Sequence, residues 1–277
     1  MSLKEITIII TTLRSEANIN SCLDSIDSSV KVIIVENSNN LEFKKNIEKK
    51  YQNVECFLTG TNLGYGKANN LGLQKVKSKY ALILNPDTIL KSNALDKFLN
   101  SANDIKNFSL IGPNQDENLN KIIDKKVYEA NNLKGFAVFF NMQKFNDQNF
   151  FDENYFLYFE EIDLCKRIKE EGKKIYIDEN IEILHLGGKS VSLSDDIEIV
   201  KNRNWHWMWS SFYYHKKHGN FILAFFKIFP KLISSTFKYL FFLIFFNKKK
   251  KIIYLYRLKG IINSIIGKKS WYRPTLD

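Results

Sequence analysis

Over the first 110 residues, short β-branched runs alternate with longer helical patterns, and that alternation narrows the fold more than any other feature of the chain. Runs at 6–10 (ITIII), 30–36 (VKVIIVE), 54–58 (VECFL) and 80–85 (YALILN) predict strands, with helices near 16–27, 42–51, 66–78 and 93–104. Chains patterned in this way fold as an α/β sheet, mostly parallel and covered by helices. Ligands of such sheets bind beyond the carboxyl ends of the strands, so Thr11, Glu36, Thr61 and Asp87 are expected to converge there.

Beyond residue 108 the strands lose their regular intervening helices. FSLIG at 108–112 and GFAVFFN at 135–141 precede an acidic helix starting near 159, and KKIYID and IEILHL then read as two short strands. A mixed-sheet half over 111–200, continuous with the half over 1–110, makes one domain of 1–200. With 44% hydrophobic residues among 277, the chain can bury a large core, and a disordered chain is excluded.

Residues 201–277 differ in character. They hold 16 Lys and Arg against Asp277 alone, a balance of +15, whereas the first 200 hold 25 basic and 29 acidic groups, a balance of −4. A near-neutral body joined to such a segment points to an anionic surface as partner. Lys227, Pro230, Lys231 and Lys238 interrupt the apolar stretch 221–246, leaving YLFFLIFF as its longest clean run. That is short of the roughly 20 residues a spanning helix needs. Interfacial helices with a collar at Lys248–Lys251 suit the pattern best, while a membrane span and a buried or dimerising hairpin stand as the other readings. The apolar interleaving argues against nucleic acid. Cys22, Cys56 and Cys165 are scattered and odd in number, which excludes a disulfide framework, and the N-terminus lacks the apolar region of an export signal. The expected location is therefore cytoplasmic, peripheral on the inner face of the cell membrane.

Four motifs carry chemistry. The NPD tripeptide at 85–87 follows a strand, so Asp87 reads either as a ligand for Mg²⁺ or Mn²⁺ or as part of a plain turn. NLGYGKANNLG at 62–72 brings Asn62, Gly64 and Lys67 to a helix start, where backbone N–H groups favour anions; a strand-to-helix turn explains it equally. In FEEIDLCKRIKEEG, Glu160 and Asp163 share a helix face while Glu161 projects about 100° away. Those carboxylates either complement the helix dipole or, beside the aromatic NYFLYF, supply a partly desolvated base. His185 closes a strand before Gly-Gly-Lys-Ser; it reads as structural or as a metal ligand beside Asp87, with Lys189 in reach of a phosphate. The aromatics Trp205, Trp207, Trp209, Tyr213 and Tyr214 fit sugar stacking, helix packing or a membrane interface.

Taken in order, ITIIITTLRSE, VIIVENS, NLGYGKANN, LNPD, FDENYFLYFEEIDLCKR and HLGGKS resemble family 2 glycosyltransferases with the Rossmann-like GT-A fold, especially the bacterial rhamnosyltransferase-like branch. The resemblance covers roughly residues 5–192. It implies an inverting, metal-dependent transfer of a sugar, rhamnose first among candidates, from a nucleotide-diphosphate donor to a saccharide or lipid-linked acceptor in surface polysaccharide synthesis. It further implies that Thr11 and Glu36 line the nucleoside pocket, that Asp87 and His185 hold the cation, and that Glu161 is the general base with Asp163 supporting or orienting the acceptor side, Asp163 standing as the alternative base. Three residues depart from the family pattern: Glu36 and Glu161 stand where Asp is usual, and Asn85 replaces the first carboxylate of the DXD motif. A sugar nucleotidyltransferase is the rival enzyme, but it would place a Gly-rich phosphate loop after the first strand, where this chain has TTLRSEANIN. A noncatalytic membrane-bound carbohydrate-binding protein is the rival from another class.

Overall fold

The computed structural model describes residues 2–115, 126–145, 147–186 and 197–274. The chain forms two compact units, one from residues 1–152 and 161–192, the other from 153–160 and 193–277.

In the first unit, β1 (Ile6–Thr12), α1 (Glu16–Asp24), β2 (Lys31–Glu36), α2 (Leu41–Lys50), β3 (Val54–Leu58), α3 (Tyr65–Leu73) and β4 (Tyr80–Leu84) follow the alternation read from the sequence. After β4 come β5 (Thr88–Leu90), α4 (Ala94–Asp104), β6 (Leu110–Pro113), β7 (Val127–Glu129), β8 (Ala137–Asn141), α5 (Glu160–Glu170), β9 (Ile175–Asp178) and β10 (Ile183–His185). Eight of the strands make one sheet in the order β3-β2-β1-β4-β8-β6-β9-β7, parallel over the first four and mixed beyond. The strand IEILHL does not join it: β10 pairs antiparallel with β5 in a small separate sheet.

The central strands of the sheet are buried on both faces, which is why they are continuous apolar runs. Ile8, Ile10, Val32, Ile34, Leu82 and Leu84 pack on one side under α1, α2 and α4. Ile9, Ile33, Val35, Ala81 and Ile83 pack on the other, under α3 and α5. Helix α3 lies very close to β1, because a Cβ at Gly72 would fall 2.5 Å from Ile9 Cγ2. It ends at Leu73, short of the expected 78, where the amides of Lys75 and Val76 turn back to Gly72 and Leu73 carbonyls.

The second unit is helical: α6 (Ile197–Lys217), α7 (Phe221–Ile244) and α8 (Lys248–Ile265). Asn220 and Asn247 cap α7 and α8 by accepting from Leu223 N (2.9 Å) and Lys250 N (3.0 Å). Met208, Phe212, Ala224, Ile228 and Ile261 form the bundle's core. Gly260 allows α8 to touch α6, since a Cβ there would lie 2.2 Å from the Trp205 carbonyl oxygen. Trp205 and Trp209 are buried and stack within the unit, so of the sugar-stacking and packing readings they answer to packing; Trp207 is exposed beside Tyr158 and Phe159. Burial pushes His206 down to about 3, so its neutral ring bridges Ser270 Oγ and the Tyr272 carbonyl. Among the described residues, no helix is long and apolar enough to cross a membrane.

Candidate active site

The small sheet explains how two residues far apart in the chain meet. Antiparallel pairing sets His185 opposite Thr88, and the Leu186 amide donates to the Asp87 carbonyl at 3.0 Å. His185 Nε2 thereby comes to 3.5 Å from Asp87 Oδ1, with its ring stacked on Phe136 at 4.8 Å between centroids. The Asn-Pro-Asp tripeptide does form a turn, held by the Thr88 amide and hydroxyl donating to the Asn85 carbonyl. Turn and ligand site are thus compatible readings. Asn85 Oδ1 and His185 Nε2 are buried and make no hydrogen bond among the described residues. Polar atoms left in that condition are costly unless a ligand completes them.

These residues fit a hard divalent cation that brings its other ligands from a diphosphate. One carboxylate, an imidazole and a nearby amide oxygen are too few for a closed site, but Mg²⁺ and Mn²⁺ commonly take one or two protein ligands plus phosphate oxygens. Among the described residues there is no cluster of three His, Cys, Asp or Glu side chains. Lys189, expected on the phosphate, lies outside the described residues.

A second group gathers at the ends of β1 and β2 and the start of α3. The register pairs Thr12 with Glu36, and the Thr12 hydroxyl donates to one Glu36 oxygen while Ser38 Oγ donates to the other at 2.6 Å. Glu36 is 2% exposed, and burial pushes its carboxyl above the usual carboxylate range despite both hydroxyls. Thr11 Oγ1 donates to Asn69 Oδ1 at 3.1 Å. Asn37, which sequence reasoning passed over, is the hub of the loop: it accepts from the Leu63 amide (2.8 Å) and donates to Asn62 Oδ1 and the Gly64 carbonyl (both 3.1 Å). Gly64 sits before the first turn of α3 at φ 87°, ψ 176°, a region open essentially only to glycine. Lys67, partly exposed, follows in that first turn.

The third group is on α5. Asp163 is fully buried and accepts from Arg167 Nε at 2.9 Å, one helical turn on. Arg167 in turn donates to Asn149 Oδ1 (3.2 Å) and to the Phe150 carbonyl, fastening the loop before the aromatic segment. Asn70 holds the same loop, donating to the Phe151 carbonyl at 2.9 Å and accepting its amide at 3.0 Å. Glu161 is different: it is partly open to solvent, and its side chain passes Gly135, where a Cβ would lie 3.7 Å from it and 3.8 Å from the Tyr65 hydroxyl. Desolvation pushes the Glu161 carboxyl up, against a smaller opposing pull from the N–H groups of Glu161 and Ile162. Of the residues passed over, Asn69 and Asn70 had a signal in the run of asparagines on α3, and Arg167 had one in its i,i+4 spacing from Asp163.

Asp87, just past β4, and the loops after β1 and β2 stand where α/β sheets bind their ligands, beyond the carboxyl ends of parallel strands. The chain belongs to glycosyl transferase family 2, whose profile matches residues 7–165. It is 30% identical over 107 residues to an uncharacterized glycosyltransferase of Haemophilus influenzae, covering 36% of this chain and 43% of that protein. The chain thus spans less than half of that relative's length. It is 25% identical over 191 residues to the rhamnosyltransferase WbbL of Escherichia coli, covering 56% and 72%. Its structure is similar to that of the mannosyltransferase PcManGT from Pyrobaculum calidifontis, solved with GDP-Man and Mn²⁺. The TM-score is 0.59 at 11% identity, over 96% of this chain and 88% of that one. The fold is therefore the mixed α/β GT-A type with helices added at the C-terminal end.

Proposed function

We propose that the protein is an inverting glycosyltransferase that moves a sugar, rhamnose first among candidates, from a nucleotide-diphosphate donor to a hydroxyl of a saccharide or lipid-linked acceptor of bacterial surface polysaccharide. The observation that carries the reading is the Asp87–His185 pair, joined at 3.5 Å by pairing of β5 with β10 inside a family 2 domain. In this reading Thr11, Asn62, Gly64, Lys67 and Asn85 line the donor side, with Lys189 toward the diphosphate, and buried Glu36 fixes the ends of β1 and β2 beneath them. Glu161 accepts the proton of the acceptor hydroxyl as that oxygen forms its bond to the anomeric carbon, on the face opposite the departing diphosphate; the donor C–O bond breaks and the configuration inverts. A divalent cation held by Asp87 and His185 would neutralise the charge on the leaving diphosphate. Asp163 acts through Arg167, holding α5 against the 149–150 loop.

The rhamnose preference draws support from the rhamnosyltransferase named among the relatives, and the cation from the Mn²⁺ in the mannosyltransferase structure. Purified protein is to be tested against a panel of nucleotide sugars, including dTDP-rhamnose, with Mg²⁺ or Mn²⁺ and a lipid-linked acceptor. Release of nucleoside diphosphate with product formation is expected from one donor, with activity abolished by chelator and by Asp87→Ala and weakened by His185→Ala. Full turnover in chelator, or by Asp87→Ala, overturns the metal assignment; no turnover with any donor overturns the transferase reading.

A further inference from the structure

Helix α7 inverts the usual order of a surface helix. Its core side is narrow, made by Ala224, Ile228 and Ser235, which are buried in the second unit. The face that would ordinarily be polar carries Ile222, Phe226, Ile233, Phe237, Leu240 and Ile244, all exposed, with Phe226 and Phe237 each at 68%. At 100° per residue these six fall on one stripe. Lys227, Lys231 and Lys238 fall together on a flank about 140–180° from the first of them, so the apolar face itself is free of charge. The stripe runs the length of a 24-residue helix, about 36 Å, and the exposed Phe245 and Phe246 and then Lys248–Lys251 follow it in the chain. Soluble surfaces rarely leave a contiguous apolar patch of that extent uncovered.

We propose that α7 lies in the plane of an anionic lipid bilayer, with this stripe in the boundary between headgroups and acyl chains. Lys227 and Lys248–Lys251 then meet the headgroups with their ammonium groups in the polar layer, while Lys231 donates to Ser211 Oγ at 3.2 Å and Lys238 lies over the Tyr254 ring at 5.5 Å, both within the unit. Charge selects the occupant. Residues 201–277 carry +15 with a single acidic group, so a second copy of the chain would bring like charges together, whereas the cytoplasmic leaflet, anionic by composition, is complementary. A helix held in the plane also agrees with the absence, among the described residues, of a helix able to cross a membrane. The assignment rests on the second unit alone and stands apart from the transferase reading.

The full-length protein is to be sedimented with phosphatidylcholine vesicles, with and without phosphatidylglycerol. Binding is expected only, or far more strongly, with the anionic lipid. Replacing Lys248–Lys251 by glutamate should weaken it by about tenfold or more. Phe226→Ser with Phe237→Ser should weaken it comparably while leaving circular dichroism and thermal midpoint unchanged, because both side chains are already in water. A fluorescent probe on Ile233→Cys should shift to the blue on vesicles, while the same probe on exposed Gln52→Cys in the first unit should not. Wild-type protein that ignores anionic vesicles, equal binding to neutral vesicles, or persistence through alkaline carbonate each overturns the proposal. So does a dimer that the serine substitutions convert to monomer without affecting vesicle binding.

Discussion

Glu161 and Asp163 stand two positions apart on α5 in opposite circumstances: one carboxylate is partly open and unfavourably desolvated, the other is fully buried against a guanidinium. A carboxyl pushed above its ordinary range is the better proton acceptor at neutral pH, so Glu161→Gln should lower turnover by a factor of roughly 10² to 10⁴ with little change in donor affinity. The acid limb of the kcat/KM profile should disappear with it. Because the fold favours protonated Glu161, the stability it supports is full below the ordinary glutamate pKa and is lost as pH rises through the raised one. Glu161→Gln should therefore melt above wild type near pH 7, by on the order of 1–3 °C, and lose that advantage near pH 4. Asp163→Asn should instead destabilise, by about 3 kcal/mol, through the Arg167 left without its ion pair. Denaturant titration of the two variants separates them; an Asp163→Asn protein with normal stability and lost turnover would exchange the roles. The three carboxylates were visible in the sequence as a cluster, and even Arg167 stood at helical spacing. Their difference in burial was not, because it depends on how α5 packs against the 149–150 loop.

At the level of elements, the position of α3 depends on two glycines. Gly64 supplies a backbone conformation that any side chain resists, and Gly72 lets the helix rest on β1. Gly64→Ala should cost about 1–3 kcal/mol, read as a lowered urea midpoint, and should weaken donor binding because the loop tied to Asn37 must shift. The four parallel strands and their helices were legible because strands buried on both faces must be apolar throughout, and helices beside them must be periodic. Strands β5 and β7 were not legible: each has three residues, and β7 is exposed along its length, so neither leaves a pattern. The isolation of β10 from the main sheet was hidden for a related reason. Its partner β5 gave no signal.

For the whole molecule, the charge asymmetry read from the sequence has a structural counterpart in the helical second unit, while the fold of the first unit follows from hydrophobic patterning. Cys22, Cys56 and Cys165 are free and buried in the first unit, with thiols pushed up to about 12 by desolvation. An aromatic disulfide reagent should find no reactive thiol in the native protein and all three after denaturation; prompt labelling of any of them in native buffer would show that the sheet opens locally. One further consequence concerns the order in which the protein is made. Strand β5 emerges early and must wait for β10, the last described strand of the first unit, before Asp87 can meet His185. Closing so long a loop is entropically unfavourable until the intervening sheet is in place. A nascent chain that stops short of β10 thus holds half of the pair, and under the proposed function its grip on a donor is expected only once β10 has paired with β5.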